Sequence, residues 1–129
     1  MNTLMQVSLF SEDFIELSEF YRIVFDLTEN EALRSDVFRG YMAGQVMVGF
    51  SAIAAYEMLG LDPRNAGDGD QTAFTFQVET TADVDSIVKE AERRGATIMK
   101  APFITYYNWY LAVLRDPDGN AFRVACTTP

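Results

Sequence analysis

Arg123 is the side chain best placed to do chemistry. It lies on a strand-like run, Ala121 to Cys126, in which Phe122 and Val124 alternate with Ala121, Arg123 and Ala125. A guanidinium pointing inward from such a strand needs compensation, because an unpaired charge in a low-dielectric pocket costs several kcal/mol. Its partner is either a protein carboxylate or an anionic ligand group gripped by the planar fork of N–H donors. Alternatively the side chain snorkels to the rim. Upstream, Phe103, Tyr106, Tyr107, Trp109 and Tyr110 form a dense aromatic run. One alternating subset, with Tyr107 and Trp109, is expected to face a cavity, where aromatic walls stack on flat ligands or hold cations. An interface between copies, or ordinary core, would use the same residues.

What is missing narrows the chemistry further. The chain has no histidine. That removes the usual general base near neutral pH and the commonest transition-metal ligand, so Ser-His-Asp triads and histidine-based metal sites are excluded. Cys126 is the single cysteine. With no histidine to activate it, it reads as inert. No Tyr or carboxylate is positioned by the sequence as a catalytic base, so the catalytic residues are unassigned and binding is favoured over turnover.

These side chains ride on a chain of 129 residues, 49% of them hydrophobic, with 19 acidic residues against ten basic for a net charge of −9. The size suits one globular domain. The negative field disfavours nucleic acid and anionic membrane surfaces as partners. No apolar stretch reaches the ~18 residues of a membrane span. The opening Met1 to Phe10 shows neither the basic start nor the cleavage site of a secretory signal. One cysteine cannot form an internal disulfide, so a reducing, cytoplasmic setting is expected.

Two strand–helix patterns position the candidate residues. From Thr3 to Phe10, Met5, Val7 and Leu9 alternate with Leu4, Gln6, Ser8 and Phe10. This period of two is that of a strand. Asp13 and Glu16 have the spacing of a capping box, and Leu17, Phe20, Tyr21 and Val24 follow as a helix stripe. An offset of 67 carries Val7, Leu9, Asp13, Glu16, Leu17, Phe20, Tyr21 and Val24 onto Phe74, Phe76, Thr80, Asp83, Val84, Ile87, Val88 and Ala91. Strand phase, cap and stripe therefore repeat together. Further strands are expected at 32–34, 36–42, 45–51, 96–100, 108–115 and 121–126, with a short helix at 54–59. Gly95 is a helix terminator, Ala43-Gly44 and Asp116 to Asn120 are turns, and Leu61 to Asp70 is a polar linker. The chain reads as α+β, two tandem β-α-β-β-β modules at about 1–60 and 71–129 within one domain, 1–129.

Each strand has one large apolar face, suited to packing under a helix. The other faces carry Gln6 and Ser8, then Met47, Gly49 and Ser51, then Thr75 and Gln77, then Arg123. Such a face is either a solvated sheet surface or the lining of a concave cleft.

The segments LMQVSLFSEDFIELSEFYRIVFDL, FTFQVETTADVDSIVKEAERRGATI and LAVLRDPDGNAFRVAC, in this order, resemble the vicinal oxygen chelate superfamily of glyoxalases, bleomycin resistance proteins and extradiol dioxygenases. The resemblance implies paired modules forming a half-open eight-stranded barrel around a cavity, and a homodimer. In the metal-dependent members, ligands come from the first and last strands of each module. Here those positions fall on Gln6, Ala73, Gly49 (within one residue) and Arg123. Alanine and glycine give no donor, and a guanidinium repels a divalent ion. Of the four, Gln6 alone could ligate, so no metal and no cofactor is expected. The expected ligand-binding residues are Gln6, Ser8, Met47, Gly49, Ser51, Thr75, Tyr107, Trp109 and Arg123. The favoured function is metal-free binding of a small molecule, such as sequestration of an antibiotic or of an aromatic or cationic metabolite. The alternative is an enzyme of lyase, isomerase or dioxygenase type, metal-free or with an atypical metal site.

Overall fold

The computed structural model describes residues 3–59, 61 and 72–129. Of the expected linker, Leu61 alone falls among them. The chain divides into two compact units, Met1–Gly67 and Asp68–Pro129, each with its own four-stranded mixed sheet and packed helix.

In the first unit, strand β1 (Gln6–Phe10) leads into helix α1 (Phe14–Phe25), followed by β2 (Thr28–Glu29), a 3₁₀ turn (Glu31–Leu33), β3 (Phe38–Ala43), β4 (Val46–Ser51) and a one-turn helix α2 (Ala55–Met58). The sheet order is β1-β4-β3-β2, with β1 parallel to β4 and the other pairs antiparallel. The helix stripe is buried as its spacing predicts: Leu17, Phe20, Tyr21 and Val24 are all in the core, with Leu9, Val48 and Phe50 from the sheet. Tyr21 packs on Phe50 at 5.4 Å between ring centroids, and Tyr41 approaches the same ring at 6.0 Å. Full burial of these rings contributes about 1.5–3 kcal/mol each.

In the second unit, β5 (Phe74–Gln77) leads into α3 (Thr81–Arg93), then β6 (Thr97–Ile104), β7 (Tyr110–Arg115) and β8 (Ala121–Cys126). The order β5-β8-β7-β6, with β5 parallel to β8, repeats that of the first sheet. Helix α3 packs on β7 and β8, and Val84, Val88 and Ala91 are buried, as are Ala112, Leu114, Phe122 and Val124 of those strands. Gly95 ends the helix at φ +102°, a conformation that costs a residue with a side chain about 1–2 kcal/mol. In the β7–β8 turn, the buried Asp116 carboxylate accepts from the backbone N–H groups of Asp118 and Asn120, both at 2.9 Å.

Four sequence expectations are corrected. The strand begins at Gln6 rather than Thr3, and Met5 is 71% exposed instead of lying under the helix. The stretch 32–34 belongs to a 3₁₀ turn, and the edge strand is Thr28–Glu29, paired with Met42 and Tyr41. A three-residue run is too short to show a period, so the available pairing partner decides. Asp13 forms no side-chain cap. Its ψ of 50° departs from the extended conformation that aims a cap at the helix donors, and the Ser11 hydroxyl accepts the Asp13 N–H instead, at 3.0 Å. Finally, β6 runs on to Ile104 through two register shifts and takes in Phe103.

Candidate functional site

The faces turned away from the helices are fixed by register. In the first unit, Gln6, Ser8 and Phe10 of β1 pair with Met47, Gly49 and Ser51 of β4, and β4 pairs Met47, Gly49 and Ser51 with Met42, Gly40 and Phe38 of β3. Five expected site residues, Gln6, Ser8, Met47, Gly49 and Ser51, therefore share one sheet face. The Gln6 amide Nε2 donates to Ser8 Oγ at 2.9 Å. Phe38 covers the centre. A Cβ built on Gly49 would lie 2.8 Å from the Phe38 ring and 2.8 Å from Gln6 Nε2, and one on Gly40 would lie 2.7 Å from Met47 Sδ. The facing glycines thus make room for the ring above them. Phe10, farther along the face, stacks on Tyr56 of α2 at 4.3 Å.

In the second unit, Thr75, Arg123, Val113 and Lys100 pair in succession across β5, β8, β7 and β6, forming one row. Arg123 donates from Nε to Thr75 Oγ1 at 2.9 Å, and its Nη1 lies 3.5 Å from the Tyr107 hydroxyl. Both partners are neutral. Among the described residues no carboxylate forms an ion pair with Arg123. Tyr107 in turn meets Trp109 edge to face, with centroids 5.1 Å apart. Thr75, Tyr107, Trp109 and Arg123 are thereby brought together as a second group.

The aromatic run does not alternate along one strand as expected. Phe103 ends in β6, Tyr106 to Asn108 make a turn, and Tyr110 opens β7. The turn is closed by the Thr105 N–H to the Trp109 carbonyl at 2.8 Å, with Asn108 at φ +64°. Tyr106 is fully exposed. Tyr110 leaves the site for the helix side, where its hydroxyl donates to Asp85 at 2.7 Å, and this hydrogen bond raises its pKa. Cys126 is buried, with its thiol 3.4 Å from the Glu79 carbonyl. Tyr41 belongs to the first unit's core, and burial there raises its pKa.

A profile of the Glyoxalase/Bleomycin resistance protein/Dioxygenase superfamily matches residues 3–124. The chain belongs to this superfamily. A glyoxalase/bleomycin resistance protein/dioxygenase family enzyme from Burkholderia phytofirmans is 40% identical, with a TM-score of 0.92 over 98% of this chain and 99% of that one. Two more distant structures share the superfamily fold. A glyoxalase-related enzyme from Fulvimarina pelagi is 15% identical (TM-score 0.82, 98% and 88% covered). Lactoylglutathione lyase from Agrobacterium tumefaciens is 23% identical (TM-score 0.72, 97% and 93% covered). Among curated proteins, none matches the chain significantly.

Register also aligns the two modules with each other. Gly49 pairs with Ser8, and Arg123 pairs with Thr75, which is Ser8 shifted by the repeat offset of 67. Gly49 and Arg123 are therefore equivalent last-strand positions of the two modules. The four positions expected from the resemblance hold one amide (Gln6), a methyl (Ala73), no side chain (Gly49) and a fixed cation (Arg123). Among the described residues, no three Asp, Glu or Cys side chains gather where they could share a metal ion. Phe38, Gly40 and Lys100 were missed by sequence reasoning. Phe38 and Gly40 do share one phase of β3, but nothing in that alternation shows a ring lying over two glycines.

Proposed function

We propose that this protein is a metal-independent small-molecule binding protein, one domain comprising both modules, whose ligand is an aromatic compound bearing an anionic group. The observation that carries this reading is Arg123, oriented by two neutral hydroxyls and left without a carboxylate partner among the described residues. A guanidinium held this way keeps its full charge for a ligand, and its remaining N–H donors suit a carboxylate or phosphate. Tyr107 and Trp109 supply an aromatic wall beside it. Metal independence is supported by the donor set: an amide, a methyl, a glycine and a guanidinium do not fit a divalent ion, and Phe38 occupies the space a Gly49 side chain would need.

Arg123→Ala tests the reading. Against a panel of aromatic carboxylates and phosphates in a thermal-shift assay, the wild type should gain stability with at least one, since binding to the native state raises the melting temperature. The variant should bind that compound at least ~10-fold more weakly, the usual scale for losing a charge-assisted hydrogen bond. Equal binding by the variant would make Arg123 structural and end this reading.

Catalysis is the second reading, favoured by the description of the 40% identical Burkholderia relative as an enzyme. Conversion of a bound compound by the wild type, followed by mass spectrometry, would establish it. We further propose a cytoplasmic homodimer. The exposed edge strand β6, with Ile104 54% exposed and Tyr106 beyond it, offers surface that a second copy would cover. Sedimentation giving the mass of one chain at micromolar concentration would refute the dimer.

A further inference from the structure

We infer that the second module's sheet face holds a dianionic ligand at two points, Arg123 and Lys100; the inference rests on the anion-binding reading above and narrows its ligand class. Arg123 of β8 pairs with Val113 of β7, and Val113 pairs with Lys100 of β6, so the three side chains leave the sheet on the same side. Neighbouring strands lie ~4.8 Å apart, which separates the two cation-bearing backbones by roughly 10 Å. Val113, half-buried, lies between them as an apolar floor. In the adjacent row, Leu111 pairs with Phe103, extending the same character.

Lys100 resembles Arg123 in how it is held. Its ammonium lies 4.1 Å from the centroid of the Phe103 ring, and among the described residues it forms no ion pair. A ring face orients a cation without neutralising it. The chain carries 19 carboxylates against ten basic side chains. Four other arginines take acidic partners, Arg22 with Glu19, Arg34 with Glu29, and Arg93 and Arg94 with Glu90, while Arg39 in the first unit is held by the Ser35 and Phe38 carbonyls and the Phe14 ring. What sets Arg123 and Lys100 apart is that two cations held by neutral groups share one row. An apolar strip between two uncompensated cations is complementary to a flat apolar body with an anionic group at each end.

Naphthalene-2,6-dicarboxylate and naphthalene-2-carboxylate are suitable probes, with binding measured by calorimetry on the full chain. The wild type should prefer the dicarboxylate. Lys100→Gln should weaken the dicarboxylate about fivefold, the upper range for an exposed charge pair, and leave the monocarboxylate within twofold. Arg123→Gln should weaken both. Both variants lie outside the core, so their folds should survive, as circular dichroism would verify. If Lys100→Gln leaves the preference intact, the second anchor is refuted while the Arg123 reading stands. If Arg123→Gln changes neither probe, both fall. A wild type that binds neither probe, or binds them equally, also overturns the two-point inference.

Discussion

The two modules share a scaffold and differ in what the scaffold displays. Each has a strand, a helix and three further strands, with the first strand parallel to the last. Each buries its helix stripe under the same phase of its sheet. On the opposite faces, equivalent positions have diverged. Ser8 with Gly49 in one module corresponds to Thr75 with Arg123 in the other. The first face is filled by its own side chains, with Phe38 over Gly40 and Gly49 and Phe10 stacked on Tyr56. The second carries a charge held by neutral hydroxyls. The repeat thus keeps the buried face, where a changed volume costs stability, and lets the other differ between the modules.

The sharpest way to break this comparison is to give the first module a side chain where the second has one. Gly49→Ala would place a methyl 2.8 Å from both the Phe38 ring and Gln6 Nε2. The Phe38 ring and the Gln6 amide, which donates to Ser8, must both shift to make room. A loss of about 1–3 kcal/mol in urea unfolding is expected, as for other overpacked sites. Phe38→Ala removes the obstruction, so the double variant should be less destabilised than the sum of the singles. Additive losses would mean that Phe38 does not own that space, and the contrast between a filled face and one that displays a charge would go with it.

Much of the scaffold was legible because it is written in periods. The stripes of α1 and α3, the alternation in β4, β5 and β8 and the Asp116 to Asn120 turn all follow from local spacing. The same alternation set Arg123 opposite the buried Phe122 and Val124. What failed was decided by pairing and turn closure, which leave no period in the sequence. Edge strand β2 exists where Thr28 and Glu29 find Met42 and Tyr41, and the 3₁₀ turn takes the residues expected to form it. The aromatic run contained no sign that Thr105 and Trp109 would close a turn within it. Lys100 faces the same side as Arg123 only after a register shift in β6, which no alternation in sequence could announce.

A smaller effect separates the modules at their helix starts. Asp13-x-x-Glu16 and Thr80-x-x-Asp83 look alike as sequence, yet only the second forms a capping box. There the Asp83 N–H donates to Thr80 Oγ1 at 3.0 Å and the Thr80 N–H to Asp83 Oδ2 at 3.1 Å. Thr80→Ala removes the acceptor of the Asp83 N–H and should cost about 1 kcal/mol. Asp13→Ala removes no hydrogen bond to the helix, leaving only the loss of a negative charge near the dipole, worth about 0.3–1 kcal/mol at low salt and less when screened. Urea unfolding at two ionic strengths distinguishes the mechanisms. The Thr80→Ala loss should persist in high salt, because a neutral hydroxyl's hydrogen bond is not screened, whereas the Asp13→Ala loss should shrink towards zero. Equal, salt-insensitive losses would show that Asp13 caps α1 after all, and that the two helix starts diverged less than their backbones indicate.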